Sequence, residues 1–214
     1  MKLPFICFDG IDGSGKDTQA RLLFAAIQDG KTKFPKTTSV WMTKEQTDLT
    51  SEGRLISTKL EKKNFDVGEA TELFIKDRLK HSLYINEIQK HSIVISVRYF
   101  LSTLAYQSAQ GESMETIWDM HIKPAEYFPE MTSFQVLIPD YYFYISINEQ
   151  EAINRIKQNR SSEFQVFEKI DFLNKVLTQY NYAIKFLKSK GINIIQINGL
   201  DSKDKILEEI LNKI

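Results

Sequence analysis

The sequence predicts an α/β protein in which a mainly parallel, five-stranded sheet lies between layers of helix. Three observations carry this. Short apolar runs of strand length alternate with amphipathic stretches of helix length along the 214-residue chain. A Gly-rich turn follows the first apolar run directly and leads straight into helix formers. Glycines otherwise fall mostly at strand–helix turns, where they do least harm to periodic segments.

In chain order, the strands are Leu3–Phe8, Ser39–Thr43, Ser92–Ser96, Tyr141–Ile147 and Ile192–Ile197. Helices are expected near 17–29, 51–62, 69–90, 99–110, 112–121, 149–160, 168–190 and 202–213. The last two have the cleanest pattern. Phe172, Leu173, Val176, Leu177, Tyr180, Ile184 and Leu187 keep helical spacing, as do Ile206, Leu207, Ile210, Leu211 and Ile214. Asn148 with Glu151 three residues on resembles an N-cap pair that opens the 149–160 helix. The stretch 122–140 holds Pro124, Pro129 and Pro139 and is expected to be an irregular excursion from the core. No repeat or low-complexity segment interrupts the pattern, so 1–214 is expected to be one domain.

Apolar residues make up 42% of the chain and charged residues 26%, ordinary values for a globular protein. Lys+Arg and Asp+Glu number 28 each, so the chain has no net field to steer a nucleic-acid polymer or an anionic membrane. A small anion held by a few placed cations is compatible with that balance. Cys7 is alone and sits in the first apolar run, where a buried core thiol is the simplest reading. The N-terminal apolar run is too short for a signal segment or a membrane span, and the expected location is cytoplasmic.

Chemistry concentrates first in Phe5 to Thr18. The turn Gly10-Ile11-Asp12-Gly13-Ser14-Gly15-Lys16 can wrap backbone N–H groups around a phosphate, and the helix that follows adds its positive end. Lys16 supplies a point charge for the outer phosphates. The residue after such a Lys is ordinarily Ser or Thr, whose hydroxyl ligates Mg²⁺; here it is Asp17, followed by Thr18. A second constellation follows the third strand. Arg98 stands just past a parallel strand's C-terminal end, facing the crevice where α/β proteins bind ligands, and suits a second anion; a surface salt bridge is the plainer alternative. A third pair, Phe74 and Arg78, shares a helix face four residues apart, although taken alone it is more simply a core Phe and a solvent-facing Arg. His81, His91 and His121 show no ligand-like spacing and read as ordinary surface or core histidines.

Together these blocks resemble the thymidylate kinase family of P-loop nucleoside-monophosphate kinases. Phe8 to Gln19 looks like F-E-G-x-D-G-x-G-K-S/T-T-Q, and Thr43-Lys44-Glu45-Gln46 stands where T-R-E-P is expected. Leu73 to His81 looks like L-F-A-A-D-R-x-x-H, and Val97 to Gln107 like D-R-Y-x-x-S-T-x-A-Y-Q-G. Ile138-Pro139-Asp140-Tyr141 through Arg155 resembles the unit before the family's lid, here at about 157–168. The resemblance implies a P-loop NTPase fold, three layers α/β/α with a short lid, and transfer of the γ-phosphate of ATP to dTMP with Mg²⁺. It implies that Lys16 and the loop amides, Gly10 to Thr18, hold the donor phosphates, with Asp17 at the metal and Arg155 on the adenine. Arg98 would grip the acceptor phosphate and Asp12 would orient the acceptor's sugar hydroxyl and phosphate end. Phe74 would stack on the pyrimidine, Arg78 donate to O4, Thr103 meet the ring edge and Tyr106 lie against the sugar; Lys44 and Gln107 complete the acceptor set. It also implies a homodimer.

The chain departs from the family pattern at several points. Val97 replaces the Asp of D-R-Y, Lys44 the Arg and Gln46 the Pro of T-R-E-P, while Gln165 and Val166 replace the Asp and Arg of the lid's D-R-F-E. Arg160 and Lys169 are the candidate cations for the lost lid Arg. Asp17 and Val97 should border one Mg²⁺, so the chain is expected to have moved a carboxylate from one position to the other.

Overall fold

A computed structural model describes residues 2–62, 66–158 and 164–214, with backbone alone at 156–158 and 164–170. The elements run β1 (Phe5–Asp9), α1 (Lys16–Gln28), β2 (Ser39–Lys44), α2 (Ser51–Glu61), α3 (Val67–Ile88), β3 (Ser92–Val97), α4 (Phe100–Ser108), α5 (Met114–Ile122) and α6 (Pro124–Tyr127). A 3₁₀ turn (Pro129–Met131) precedes β4 (Tyr141–Ser146), α7 (Glu149–Gln158), α8 (Phe164–Ser189), β5 (Ile194–Asn198) and α9 (Lys203–Leu211). The described strands pair in the order β2-β3-β1-β4-β5, and every pair is parallel. The sheet is therefore wholly rather than mainly parallel.

Two-residue alternation along β1 divides the core. Phe5 and Cys7 join the cluster under α3, α4, α5 and α8, whereas Ile6 and Phe8 join the one under α1 and α9. A sheet covered on both faces needs apolar residues at consecutive positions, and all five of β1 are buried. The thiol of Cys7 is fully buried there; burial first, then the charges of Asp9 and Glu45, push it well above its ordinary range.

One expectation needs correction. The stretch 122–140 is not an excursion: Phe128 and Met131 are buried in the larger cluster, with Phe134, Val136 and Leu137 packed against it. Three prolines erase the helical period, yet the apolar side chains between them still find the core. The Asn148 cap is present, its Oδ1 accepting from Glu151 N at 2.9 Å. Of the lid expected at about 157–168, residues 159–163 lie outside the described residues and the rest is backbone at the end of α7 and the start of α8; the side chains of Arg160, Gln165, Val166 and Lys169 lie outside the described residues.

The two helices that follow the Gly-rich loop and Arg98 lack side-chain caps of their own. Thr50, Asp66, Ser113 and Ser202 cap α2, α3, α5 and α9 through their own side chains. Gly15 and Tyr99 open α1 and α4 without one. For α4 the cap comes from another strand, because Asp9 Oδ2 accepts from Tyr99 N at 3.2 Å and Ser102 N at 3.1 Å. The same carboxylate accepts from Gly10 N, Ser102 Oγ, Tyr142 OH and Tyr180 OH. Asp9→Asn turns one acceptor into a donor among these groups. It should lower stability by about 3 kcal/mol, read as a shift in the urea midpoint; an unchanged midpoint would show that the hub is dispensable.

Candidate active site

The loop between β1 and α1 has the backbone that its glycines allow. Gly10 has φ +148°, and a Cβ there would lie 2.7 Å from Ile145 O; Gly15, at φ +92°, starts α1. No side chain of the N-cap residue takes the first-turn amides of α1, which leaves them free for an anion. Lys16 is buried and folds back across the loop, its Nζ donating to Ile11 O at 3.1 Å, with Asp12 Oδ1 at 3.6 Å and Asp17 Oδ2 at 3.8 Å. Burial and the nearby Arg98 lower its pKa, partly offset by Asp12, Asp17 and Asp9. Arg155 reaches the same loop from α7: NH1 donates to Gly13 O at 3.1 Å and NH2 to Gly199 O at 3.0 Å.

Arg98 follows β3 with φ +67°, a left-handed backbone rare for a side chain of that size. Its N–H donates to Phe8 O, while Ser96 Oγ donates to its carbonyl, so both ends are fixed to the sheet. The turn throws the guanidinium across to the loop. NH2 pairs directly with Asp12, NH1 donates to Ser102 Oγ at 2.9 Å, and the plane lies 5.2 Å over the Tyr106 ring. Burial alone would lower its pKa, but the Tyr106 and Tyr180 hydroxyls, Asp12 and Asp9 outweigh this and raise it well above the usual value. Asp12 thus lies against both Lys16 and Arg98.

Beyond Arg98 opens a cavity of about 430 Å³, within the usual range for a small-molecule site. Asp12, Phe74, Arg78, Arg98, Thr103, Tyr106 and Gln107 all border it. Gln107 is partly committed, since its Nε2 donates to Thr71 Oγ1 and its Oε1 accepts from Gln110. Lys44 is the exception in the acceptor set. It lies exposed at the end of β2 in a second cleft of about 400 Å³, together with Asp17, Thr43 and Val97.

Arg78 is not solvent-facing; it is 1% exposed and belongs to a buried network. Glu45 Oε2 accepts from its Nε at 2.7 Å and pairs with NH2 at 2.5 Å, while Glu45 Oε1 accepts from His81 Nδ1 at 3.1 Å. His121 Nε2 lies 2.7 Å from NH1. Asp77 stands beside this network, accepting from Thr47 N at 3.0 Å and from the Thr50 hydroxyl. Glu45, Asp77, His81 and His121 were not among the residues that the sequence pointed to. Glu45, Asp77 and His81 lie inside quoted motifs, so position in the motif was the available signal; His121 offered none.

The fold, the Gly-rich loop before α1 and the cavity beside it define a P-loop α/β protein. The chain belongs to the thymidylate kinase family, whose pattern it matches over residues 8–210. It is 31% identical over 211 residues to "Probable thymidylate kinase" of Methanocaldococcus jannaschii, covering 98% of this chain and 93% of that one. It is 31% identical over 220 residues to the protein of the same description from Pyrococcus abyssi (99% and 95%), and 30% over 218 residues to "Thymidylate kinase" of Onion yellows phytoplasma (98% and 97%).

Burial, and then the charge of Glu45, push the Asp77 carboxyl from 3.8 up to about 6. Between those values the folded protein keeps a proton that the unfolded chain has lost. Its contribution to stability is therefore full below about pH 4 and is lost as pH rises through 6, by about 3 kcal/mol. Asp77→Asn cannot ionise, so the stability of the wild type relative to this variant should fall from pH 4.5 to pH 7. Urea unfolding at both pH values checks this, and a constant difference would contradict it.

Proposed function

We propose that this protein transfers the γ-phosphate of ATP to dTMP, giving dTDP. The observation that carries the reading is the position of Asp12, which pairs with Arg98 on the acceptor side and lies 3.6 Å from Lys16 on the donor side. Two cations held on one carboxylate bring two phosphates into a single crevice, which is what in-line phosphoryl transfer needs. Lys16 and the amides of Gly13 to Thr18 take the donor phosphates, and Arg98 takes the acceptor phosphate. Arg155, donating to Gly13 O, buttresses the loop and borders the ATP side. No strongly activated base is called for, because such transfer depends chiefly on positioning and charge neutralisation.

On the acceptor side Phe74 gives a flat face for the pyrimidine, Thr103 a hydroxyl for its edge, and Tyr106 a wall against the sugar. Arg78 favours a keto oxygen; the amine of cytosine would face a buried cation with another donor. Gln107 closes the cavity behind the base. Lys44, in the second cleft, lies on the metal side of the loop instead. The chain reads as cytoplasmic, consistent with a single buried thiol. It also reads as a homodimer, with the exposed Leu83 and Tyr84 of α3 as candidate contacts; a monomer mass by light scattering would remove that part.

The residues present fit Mg²⁺. Among the described residues no group of three or more His, Cys, Asp or Glu forms a protein cage, and Mg²⁺ ordinarily needs only one or two carboxylates beside substrate phosphates. Asp17 is exposed and shares its cleft with Val97, so a carboxylate at either position reaches the same space. Bound there, the ion would neutralise phosphate charge. Asp17→Ser should abolish Mg²⁺-dependent turnover, and Asp17→Ser with Val97→Asp should restore it; equal activity in the two variants would refute the exchange of carboxylates.

A coupled assay with dTMP, dUMP, dCMP and thymidine tests the function itself. Turnover with dTMP foremost is expected. Turnover of thymidine alone would assign a nucleoside kinase, and binding of ATP and dTMP without dTDP formation would assign a nucleotide-binding protein that has lost catalysis, an outcome that the altered residues 97, 165 and 166 motivate.

A further inference from the structure

A guanidinium carries five N–H donors in one plane. In Arg78 the Nε hydrogen and one on NH2 go to Glu45 Oε2, and one on NH1 goes to His121 Nε2. One N–H on each terminal nitrogen is left, and Arg78 borders the acceptor cavity. Glu45 holds the guanidinium through a single oxygen, its other oxygen being taken by His81, and the Tyr99 ring, 5.2 Å from the guanidinium carbon, supports its face without setting its rotation in the plane.

His121 supplies the missing constraint. Its Nδ1 lies 2.7 Å from Ile117 O, an acceptor only, so Nδ1 must carry the proton. Nε2 then presents its lone pair, which suits Arg78 NH1 and no donor-rich alternative. The ring is wholly buried between Trp118 and Phe100, with centroids 6.2 and 6.3 Å away, and it does not line the cavity. Burial and then the charge of Arg78 keep it neutral, well below the ordinary histidine range.

We propose that His121 is a positioning residue for base selection: by accepting from NH1 it fixes, together with Glu45, the orientation in which Arg78 offers its two remaining donors to the cavity. The inference rests on the reading that the cavity takes dTMP. A keto pyrimidine meets both donors in that orientation. A guanidinium released from His121 could turn, and discrimination against an aminopyrimidine would fall with it.

The test is steady-state kinetics of His121→Phe, which keeps a ring between Trp118 and Phe100 but removes the acceptor, and of His121→Gln, whose amide can accept from Arg78 and donate to Ile117 O. For His121→Phe, KM for dTMP should rise roughly tenfold, the worth of one hydrogen bond to a charged group. KM for ATP should stay constant, and the preference for dTMP over dCMP should fall by a similar factor. His121→Gln should recover most of that preference. A uniform loss of kcat with the preference intact would show a merely structural role and overturn the inference, as would wild-type behaviour of His121→Phe. Should neither variant fold, ¹⁵N spectra of the wild-type imidazoles decide: an unprotonated, hydrogen-bonded Nε2 at His121 with and without dTMP is expected, and a protonated Nε2 overturns the proposal. A wild type that fails to phosphorylate dTMP would sink the functional reading instead, and the spectra would still report on the Arg78 contact.

Discussion

The carboxylate of Asp9 is the constraint on which the crevice depends. It sits at the last residue of β1, the middle strand of the sheet, and accepts six hydrogen bonds from four directions. Gly10 N ties it to the start of the phosphate loop, Tyr99 and Ser102 to α4, Tyr142 to β4 and Tyr180 to α8. A buried charge is costly unless every lone pair is engaged, and here every lone pair is. The outcome is geometric. The loop that carries Lys16 and the turn that carries Arg98 leave neighbouring strands and are fixed to one another before any ligand arrives. That fixing offsets the unfavourable backbone of Arg98 and the proximity of two cations.

A second buried network, around Arg78, follows different logic. Asp9 is surrounded by neutral donors and locks backbone, whereas Glu45, Arg78, His81 and His121 form a chain of side chains that holds one guanidinium. Truncating any member strands a charge or a donor away from water, so the group acts as a unit. It lies among the end of β2, α3 and α5, with Glu45 and Arg78 in the cavity wall and His81 and His121 behind it. On the proposed reading, the donor phosphates meet main-chain amides and the one Lys16 side chain, whereas the acceptor base meets side chains throughout. Recognition of phosphates common to all nucleotides needs no side-chain variety, whereas recognition of a base does.

The sheet, the helices around it and the phosphate loop were legible in the sequence because each rests on local pattern: period in β1 and α8, glycine placement before Lys16, an Asn–Glu cap at α7. Arg98 was legible from its position past β3. The networks were not, because their contacts join residues far apart in the chain. Arg78 meets Glu45 across 33 residues and His121 across 43, while Asp9 meets Tyr180 across 171. A lone histidine on α5 carries no mark of the arginine it faces. The stretch 122–140 misled for a related reason, since Phe128 and Met131 are single apolar residues with no period to announce them. Lys44 sat in the right motif but on the far side of the phosphate loop, a matter of which way a strand's last side chain points.

Cys7 has a practical consequence. Its sulfur lies in the floor of the sheet with no solvent exposure and a thiol that resists ionisation. The exterior consequently presents no thiol, so peroxide or alkylating reagents find no cysteine to attack while the sheet is closed. A single cysteine introduced at an exposed position, Leu200 for instance, would become the sole handle for a fluorophore or spin label, with no need to delete the native one first.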